Sequence, residues 1–269
     1  MLKKIARWAA AAVVFAGIYV ICLYAVQDYL IFFPDKFYVG PQSAGVPAFR
    51  EQPLVTADGR MVMAWYAEGE PDKPAILFFH GNAGQIATFA PRMEAYRKAG
   101  YSVLMPEYRG FAHSGGELSE DNMYADAVAA FDYLEKQPGH KGIVVFGYSM
   151  GTAPAAAVAG LRSPDGLILA APFRSLYREV TEKKIPLAGW VLTRHLESDK
   201  FVAAYEGPLL IVHGSRDRLI LPHHGRELFE LAPSSDKQFR LAEQVDHNRL
   251  FFDEANHRIM LEWLTNRFN

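Results

Sequence analysis

Apolar and polar positions divide this chain into three regions. No charged residue occurs from position 8 to 26. Apolar side chains lie all round a helical projection of that stretch rather than along one stripe, which excludes a surface-lying amphipathic helix. At ~1.5 Å per residue, about 19 residues suffice to cross a hydrocarbon core of ~30 Å. Trp8 at the start and Tyr19, Tyr24 and Tyr29 toward the second half suit aromatic belts at the two interfaces. A second region follows in which Pro41, Gly45 and Pro47 oppose regular structure. Its apolar residues 30–34 are expected either to continue along the membrane surface or to pack on the following domain.

The third region begins with two strand-like runs, 53–56 and 61–66, around Asp58-Gly59, which read as a hairpin. Short runs that are apolar on both faces then recur at 76–79, 101–105, 143–146, 167–170, 209–213 and 238–241. Helical patterns separate them at 88–99, 121–136, 151–161, 223–231 and 253–267. Strands apolar on both faces belong in a parallel sheet covered by helices. The expected fold is therefore α/β, a mostly parallel, doubly wound sheet preceded by one N-terminal transmembrane helix. Residues 172–207 interrupt the alternation and are longer than a normal crossover. Within them 176–184 and 187–195 are expected to form two short helices, and Lys183-Lys184 a solvated face.

Composition narrows the function. Lys and Arg total 28 against 30 Asp and Glu, a net charge of −2, and no basic stripe runs along an expected helix. That leaves no footprint for nucleic acid. The single cysteine, Cys22, cannot form an intramolecular disulfide. The histidines are scattered. His223-His224 lies at the start of a helix and is read as solvated or helix-capping, with metal ligation as the alternative, so no metal and no cofactor are expected. Lys3, Lys4 and Arg7 precede the apolar stretch, while Asp28, Asp35 and Lys36 follow it. The positive-inside bias puts the N-terminus in the cytoplasm and the globular part outside it, in the periplasm if the cell is Gram-negative. A cleaved signal peptide competes with an uncleaved anchor. Against cleavage, the apolar core is longer than usual and no A-x-A site follows it.

The chemistry sits in Gly147-Tyr148-Ser149-Met150-Gly151, which follows one strand-like run and opens a helical one. Strand, Gly-x-Ser-x-Gly, helix is the context of a nucleophile elbow, a turn too tight for side chains two residues either side of the serine. The N–H of Met150 then points to where an oxyanion forms. His80-Gly81-Asn82-Ala83-Gly84 ends an earlier strand and offers a second oxyanion N–H, that of Asn82 or Ala83, with His80 packed under the turn as a structural residue. Asp217 ends a polar turn after the run 209–213, and His247 follows the last run. Serine, acid, histidine, each after a strand, gives Ser149, Asp217 and His247 as catalytic residues. Glu197 or Asp199 is the alternative acid.

These motifs resemble the α/β-hydrolase superfamily, and within it single-pass, membrane-anchored serine hydrolases with an HGNAG oxyanion turn. The resemblance runs from about Val55 to the C-terminus. It includes Glu107-Tyr108-Arg109-Gly110-Phe111-Ala112-His113-Ser114, similar to the family's D-Y-R-G-F-G-x-S turn, with Glu107 for the usual Asp and Ala112 for the usual Gly. The histidine loop has Asp246 where Gly is common, which could alter the charge beside the imidazole. The resemblance implies an α/β-hydrolase fold, with 1–27 as cytoplasmic N-terminus and anchor, 28–50 as juxtamembrane linker, and 51–269 as the hydrolase domain, its cap insertion at 172–207. It also implies ester or thioester hydrolysis of a small-molecule or lipid acyl substrate. A peptidase on the same fold, or a non-catalytic membrane-tethered binding protein, is the alternative. A dehalogenase or epoxide hydrolase would need Asp at position 149.

Overall fold

A computed structural model describes every residue except Lys36, His113 and Asn269, so the Lys36 and His113 named above lie outside the described residues. Eight strands form one sheet: β1 (Arg50–Val55), β2 (Met61–Ala67), β3 (Ala75–Phe79), β4 (Ser102–Pro106), β5 (Ile143–Tyr148), β6 (Gly166–Ala170), β7 (Leu209–Gly214) and β8 (Lys237–Ala242). Their order is β1-β2-β4-β3-β5-β6-β7-β8. The β1–β2 and β2–β4 pairs are antiparallel and the rest parallel. The helices are α1 (Leu2–Ile31), α2 (Ile86–Lys98), α3 (Glu120–Glu135), α4 (Thr152–Arg162), α5 (Leu176–Glu182), α6 (Ala188–Val191), α7 (Ser198–Val202), α8 (Pro222–Leu231), α9 (His247–Phe252) and α10 (Glu254–Phe268).

Alternation along the strands sends successive side chains to opposite faces. Leu77, Phe79, Val145, Leu169 and Ile211 share one core with Ala127 and Phe131 of α3 and Val158 of α4. Ile76, Phe78, Val144, Phe146 and Ile168 share the other with Met93 and Tyr96 of α2 and Met260 and Leu264 of α10. This is why the strand runs carry no polar alternation. The turn after β4 ties the hairpin to this body. Arg109 is buried and bridges Asp58 in the hairpin turn at 2.7 Å and Asp126 of α3 at 2.7 Å.

The apolar N-terminal stretch forms α1, a helix of 30 residues. It is long and apolar enough to cross a membrane. It runs four residues past the expected boundary at 27/28, because no glycine or proline occurs between Gly17 and Pro34. Residues 30–34 pack on the domain rather than leaving it: Phe32 is buried, and Phe33–Pro34 pairs in parallel with Ala83–Gly84. On α1 the positions of reduced exposure beyond Tyr19 are Val20, Leu23, Gln27 and Asp28, then Ile31. They recur three to four residues apart and form the stripe turned toward residues 172–207.

That insertion departs from the two expected helices. The second, 187–195, shrinks to the single turn of α6, and α7 forms where none was expected. Lys184, Leu187 and Leu196 adopt left-handed backbone with φ of 57°, 60° and 44°, which breaks a helical run at each point. Lys183 is not simply solvated. Its ammonium donates to the Leu219 carbonyl at 2.9 Å and pairs with Glu179 at 2.7 Å.

Candidate active site

Ser149 sits between β5 and α4 with φ of +54°, a left-handed backbone that a side-chain-bearing residue adopts only at a cost. The flanking glycines are obligatory for packing. A Cβ on Gly147 would lie 2.4 Å from the Gly151 carbonyl oxygen, and one on Gly151 would lie 2.1 Å from that of Phe79. The two strand ends approach so closely that only hydrogen fits. The hydroxyl of Thr152 donates to the Ser149 carbonyl at 2.6 Å and holds the turn.

His247 opens α9 and faces this serine, its Nε2 2.9 Å from Ser149 Oγ. Its Nδ1 lies 2.7 Å from Asp217 Oδ2. The other Asp217 oxygen accepts the N–H groups of Leu219 and Ile220, both at 2.9 Å. Burial opposes ionisation of Asp217. Hydrogen bonds from His213, His247 and the Ile220 backbone outweigh it and hold the carboxyl well below the usual carboxylate range. Ser149, Asp217 and His247 are all buried, so water does not dilute these contacts. Asp199, the alternative acid, pairs instead with Arg174 at 2.9 Å, and Glu197 pairs with Lys200. Asp246 is the N-cap of α9, its carboxylate accepting the Arg249 N–H at 3.0 Å.

The turn 80–84 lies against the serine, and Asn82, Ser149 and Met150 line one cavity of about 270 Å³. The carbonyl of Asn82 accepts from Phe33 N–H at 2.8 Å, and its side-chain amide donates to the Ile31 carbonyl at 2.7 Å. His80 is buried beneath the turn, as expected of a structural residue: its ring nitrogens lie 2.8 Å from the Gly81 carbonyl and 2.7 Å from Glu107 Oε1. Glu107 Oε2 also accepts the first N–H of α2, that of Ile86, at 2.9 Å. Glu107 therefore fastens His80 to a helix start. Ala112, where the resembling family has glycine, is left-handed with φ of 41°.

Three contributors were not assigned roles from the sequence. His213 backs Asp217, its Nε2 3.4 Å from the carboxylate and 2.9 Å from the Ile220 carbonyl. Its position at the end of a strand two residues before the acid's turn was the available clue. Leu23 and Gln27 of α1 line the cavity with Ser149; nothing local to the sequence could show that. His224 overturns the solvated reading: it is fully buried, with Nδ1 accepting the Arg174 N–H at 3.3 Å and Nε2 3.1 Å from Glu179. His223, His224 and Glu182 place three donor atoms within 4.8 Å of one another. Arg178 already holds Glu182 at 2.6 Å, so a cation at this point meets a charge that is already paired.

The strand order, the strained serine turn and the cavity over it define an α/β hydrolase. The sequence profile of the Hydrolase_4 serine aminopeptidase family, S33, matches residues 70–201, a span that holds Ser149. Rv2307c of Mycobacterium tuberculosis is 32% identical over 251 residues, covering 89% of this chain and 86% of that one. The Saccharomyces cerevisiae membrane protein YNL320W is 30% identical over 234 residues, 83% of this chain and 82% of that one. Among solved structures, the Pyrococcus furiosus esterase Pf2001 superposes with a TM-score of 0.74 at 20% identity, over 89% of this chain and 100% of that one. The chain belongs to the α/β-hydrolase superfamily, in the family it shares with Rv2307c.

Proposed function

We propose that the protein is a serine hydrolase of carboxylic esters or thioesters, tethered to a membrane by α1. The observation that carries this reading is the unbroken line Ser149 Oγ, His247, Asp217, with contacts of 2.9 and 2.7 Å, at the foot of a cavity walled mainly by apolar side chains. His247 takes the hydroxyl proton as Ser149 attacks the acyl carbon. Asp217 fixes the tautomer and stabilises the imidazolium. The N–H groups of Met150 and Asn82 receive the oxyanion, each donor contributing on the order of 3 kcal/mol. As the intermediate collapses, the bond to the leaving oxygen or sulfur breaks and His247 returns its proton to that atom. Water, deprotonated by His247, then cleaves the acyl-enzyme to the free acid.

The matched profile is that of serine aminopeptidases, which favours a peptidase as the second reading. An aminopeptidase needs an anion for the substrate's ammonium. The carboxylate lining this cavity, Glu179, is engaged by Lys183 at 2.7 Å and His224 at 3.1 Å, which supports the ester reading. Lys3, Lys4 and Arg7, in the first turns of α1 ahead of its uncharged stretch, support a cytoplasmic N-terminus and an extracytoplasmic catalytic domain.

The test is labelling of the full-length protein by a small fluorophosphonate, followed by matched p-nitrophenyl esters, a thioester and an aminoacyl amide. Labelling with esters and the thioester cleaved well above the amide is expected. Absence of labelling points to a non-catalytic protein, and amide cleavage as fast as ester cleavage points to the peptidase. A reporter active only outside the cytoplasm, fused at the C-terminus, is expected to work; activity of a cytoplasm-only reporter reverses the orientation.

A further inference from the structure

We propose that α1 is a wall of the catalytic cavity as well as a tether, and that the cavity takes its acyl chain from the bilayer. The substrate class is then a membrane-resident amphiphile with a long acyl ester, rather than a water-soluble short ester. This deepens the hydrolase reading and rests on it.

The argument is one of depth. A span of about 20 residues starting after Arg7 leaves the hydrocarbon near Gln27. The contacts between α1 and the body of the protein sort along that axis. Outermost, the Asn82 amide meets the Ile31 carbonyl at 2.7 Å. Next, Arg194 pairs with Asp28 at 3.0 Å, and the Thr193 N–H donates to Gln27 Oε1 at 2.8 Å. These polar contacts lie where the water boundary falls. Deeper still, the Tyr19 hydroxyl donates to the Pro186 carbonyl at 3.0 Å. Tyr19 precedes Gln27 by two turns, about 12 Å along a helix. The tip of the insertion therefore lies below the boundary, on the hydrocarbon side.

Its surface fits that position. Trp190 is 86% exposed, and Ile185 and Leu187 are also exposed. Three such side chains on one short segment are costly in water and stable against lipid acyl chains. Between Tyr19 and Gln27 on the same stripe lies Leu23, and it lines the cavity that holds Ser149. Ile185, Ala188 and Val191 of the insertion line it too. α1 and α6 thus wall the same cavity as Ser149, and an acyl chain held between them would reach the serine from the bilayer side. A second cavity of about 410 Å³ is also lined by Ser149, together with Gly81, Thr88, His247 and Asn248, and would take the leaving group.

The test uses the full-length protein in phosphatidylcholine nanodiscs. The readout is the ratio of kcat/KM for p-nitrophenyl dodecanoate to that for the acetate, with fluorophosphonate labelling beside it. Leu23→Trp fills the slot, and its ratio is expected to fall at least tenfold. Ile21→Trp, at the same depth but 67% exposed on the lipid side, is expected to leave the ratio within twofold. Leu23→Ala, which keeps the helix and widens the slot, is expected to move the preferred chain toward greater length and carries the test if the tryptophan variant does not fold. A ratio unmoved by both Leu23 variants, or moved equally by Ile21→Trp, overturns the proposal while labelled wild-type protein leaves the hydrolase reading standing. Unlabelled wild-type protein takes both down.

Discussion

The side-chain amide of Asn82 donates a 2.7 Å hydrogen bond to the backbone carbonyl of Ile31, the last residue of the apolar N-terminal helix. One residue of the proposed oxyanion turn thus satisfies a helix C-terminal carbonyl that would otherwise lack a partner. The Asn82 carbonyl in turn accepts the Phe33 N–H at 2.8 Å. The turn that would hold a developing negative charge is braced from behind by the chain that follows the apolar helix.

Removing the Ser149 hydroxyl is expected to abolish turnover and probe labelling, and the replacement decides the stability. Ala at φ of +54° keeps the backbone strain, whereas Gly relieves it. Ser149→Gly is expected to exceed Ser149→Ala by about 1 kcal/mol in denaturant unfolding. Equal stabilities, or labelling retained in either variant, would contradict the assignment of Ser149 as a strained nucleophile.

The acid assignment separates two aspartates. Asp217→Asn is expected to lower kcat by about 10⁴ by favouring the wrong imidazole tautomer. Asp199→Asn breaks only the 2.9 Å pair with Arg174 and is expected to change kcat less than threefold. The reverse ranking in steady-state kinetics would move the carboxylate to the insertion.

His257 is buried against Tyr96, and burial, with a smaller contribution from Arg92, lowers its pKa from 6.5 to about 4. A histidine held neutral in the fold binds its proton more readily when unfolded. Its contribution to stability is complete above pH 6.5 and drains away as pH falls toward 4, by up to about 3 kcal/mol. Unfolding of the His257→Leu variant is expected to flatten in that window. An acid limb identical to wild type would show that other groups control it.

Arg109→Met leaves Asp126 buried without its cation, and burial alone raises the pKa of that carboxyl. A cost of about 3–5 kcal/mol is expected, most of it from the unpaired charge rather than from the lost contact. The doubly altered protein, with Asp126→Leu added, is expected to recover part of that loss in a double-mutant cycle. Additive losses would mean the two residues are not coupled.

What was legible in the sequence depended on how local its cause is. The strands announced themselves because burial on both faces leaves runs such as Ile143-Val144-Val145-Phe146 no polar position. The elbow was legible because two glycines are demanded by contacts within the turn and its neighbouring strand. Chain order points to Ser149, Asp217 and His247, and the fold brings Ser149 Oγ within 2.9 Å of His247 and His247 within 2.7 Å of Asp217. His213 meets Asp217 and Ile220, four and seven positions on, through a turn whose folded path the sequence does not spell out, whereas His224 meets Arg174 and Glu179 from a distant part of the chain, so its burial could not be read from its neighbours. The helix expected at 187–195 failed for a related reason. Its residues meet α1 through Thr193 and Gln27, a contact 166 positions apart, and that contact wins over local helical preference.

The short ladder between Phe33–Pro34 and Ala83–Gly84 has one further consequence, for how the domain can be released. A protease cutting the linker after Pro34 would leave that strand with the N-terminal helix and free a domain whose proposed oxyanion turn has lost its brace. Shedding and inactivation would then be a single event, and a soluble fragment beginning at Arg50 would underreport the activity of the tethered protein. A fragment that retains Phe32 to Asp35 keeps the brace, and comparing the two in a bulk ester assay measures what the membrane-proximal backbone contributes to turnover.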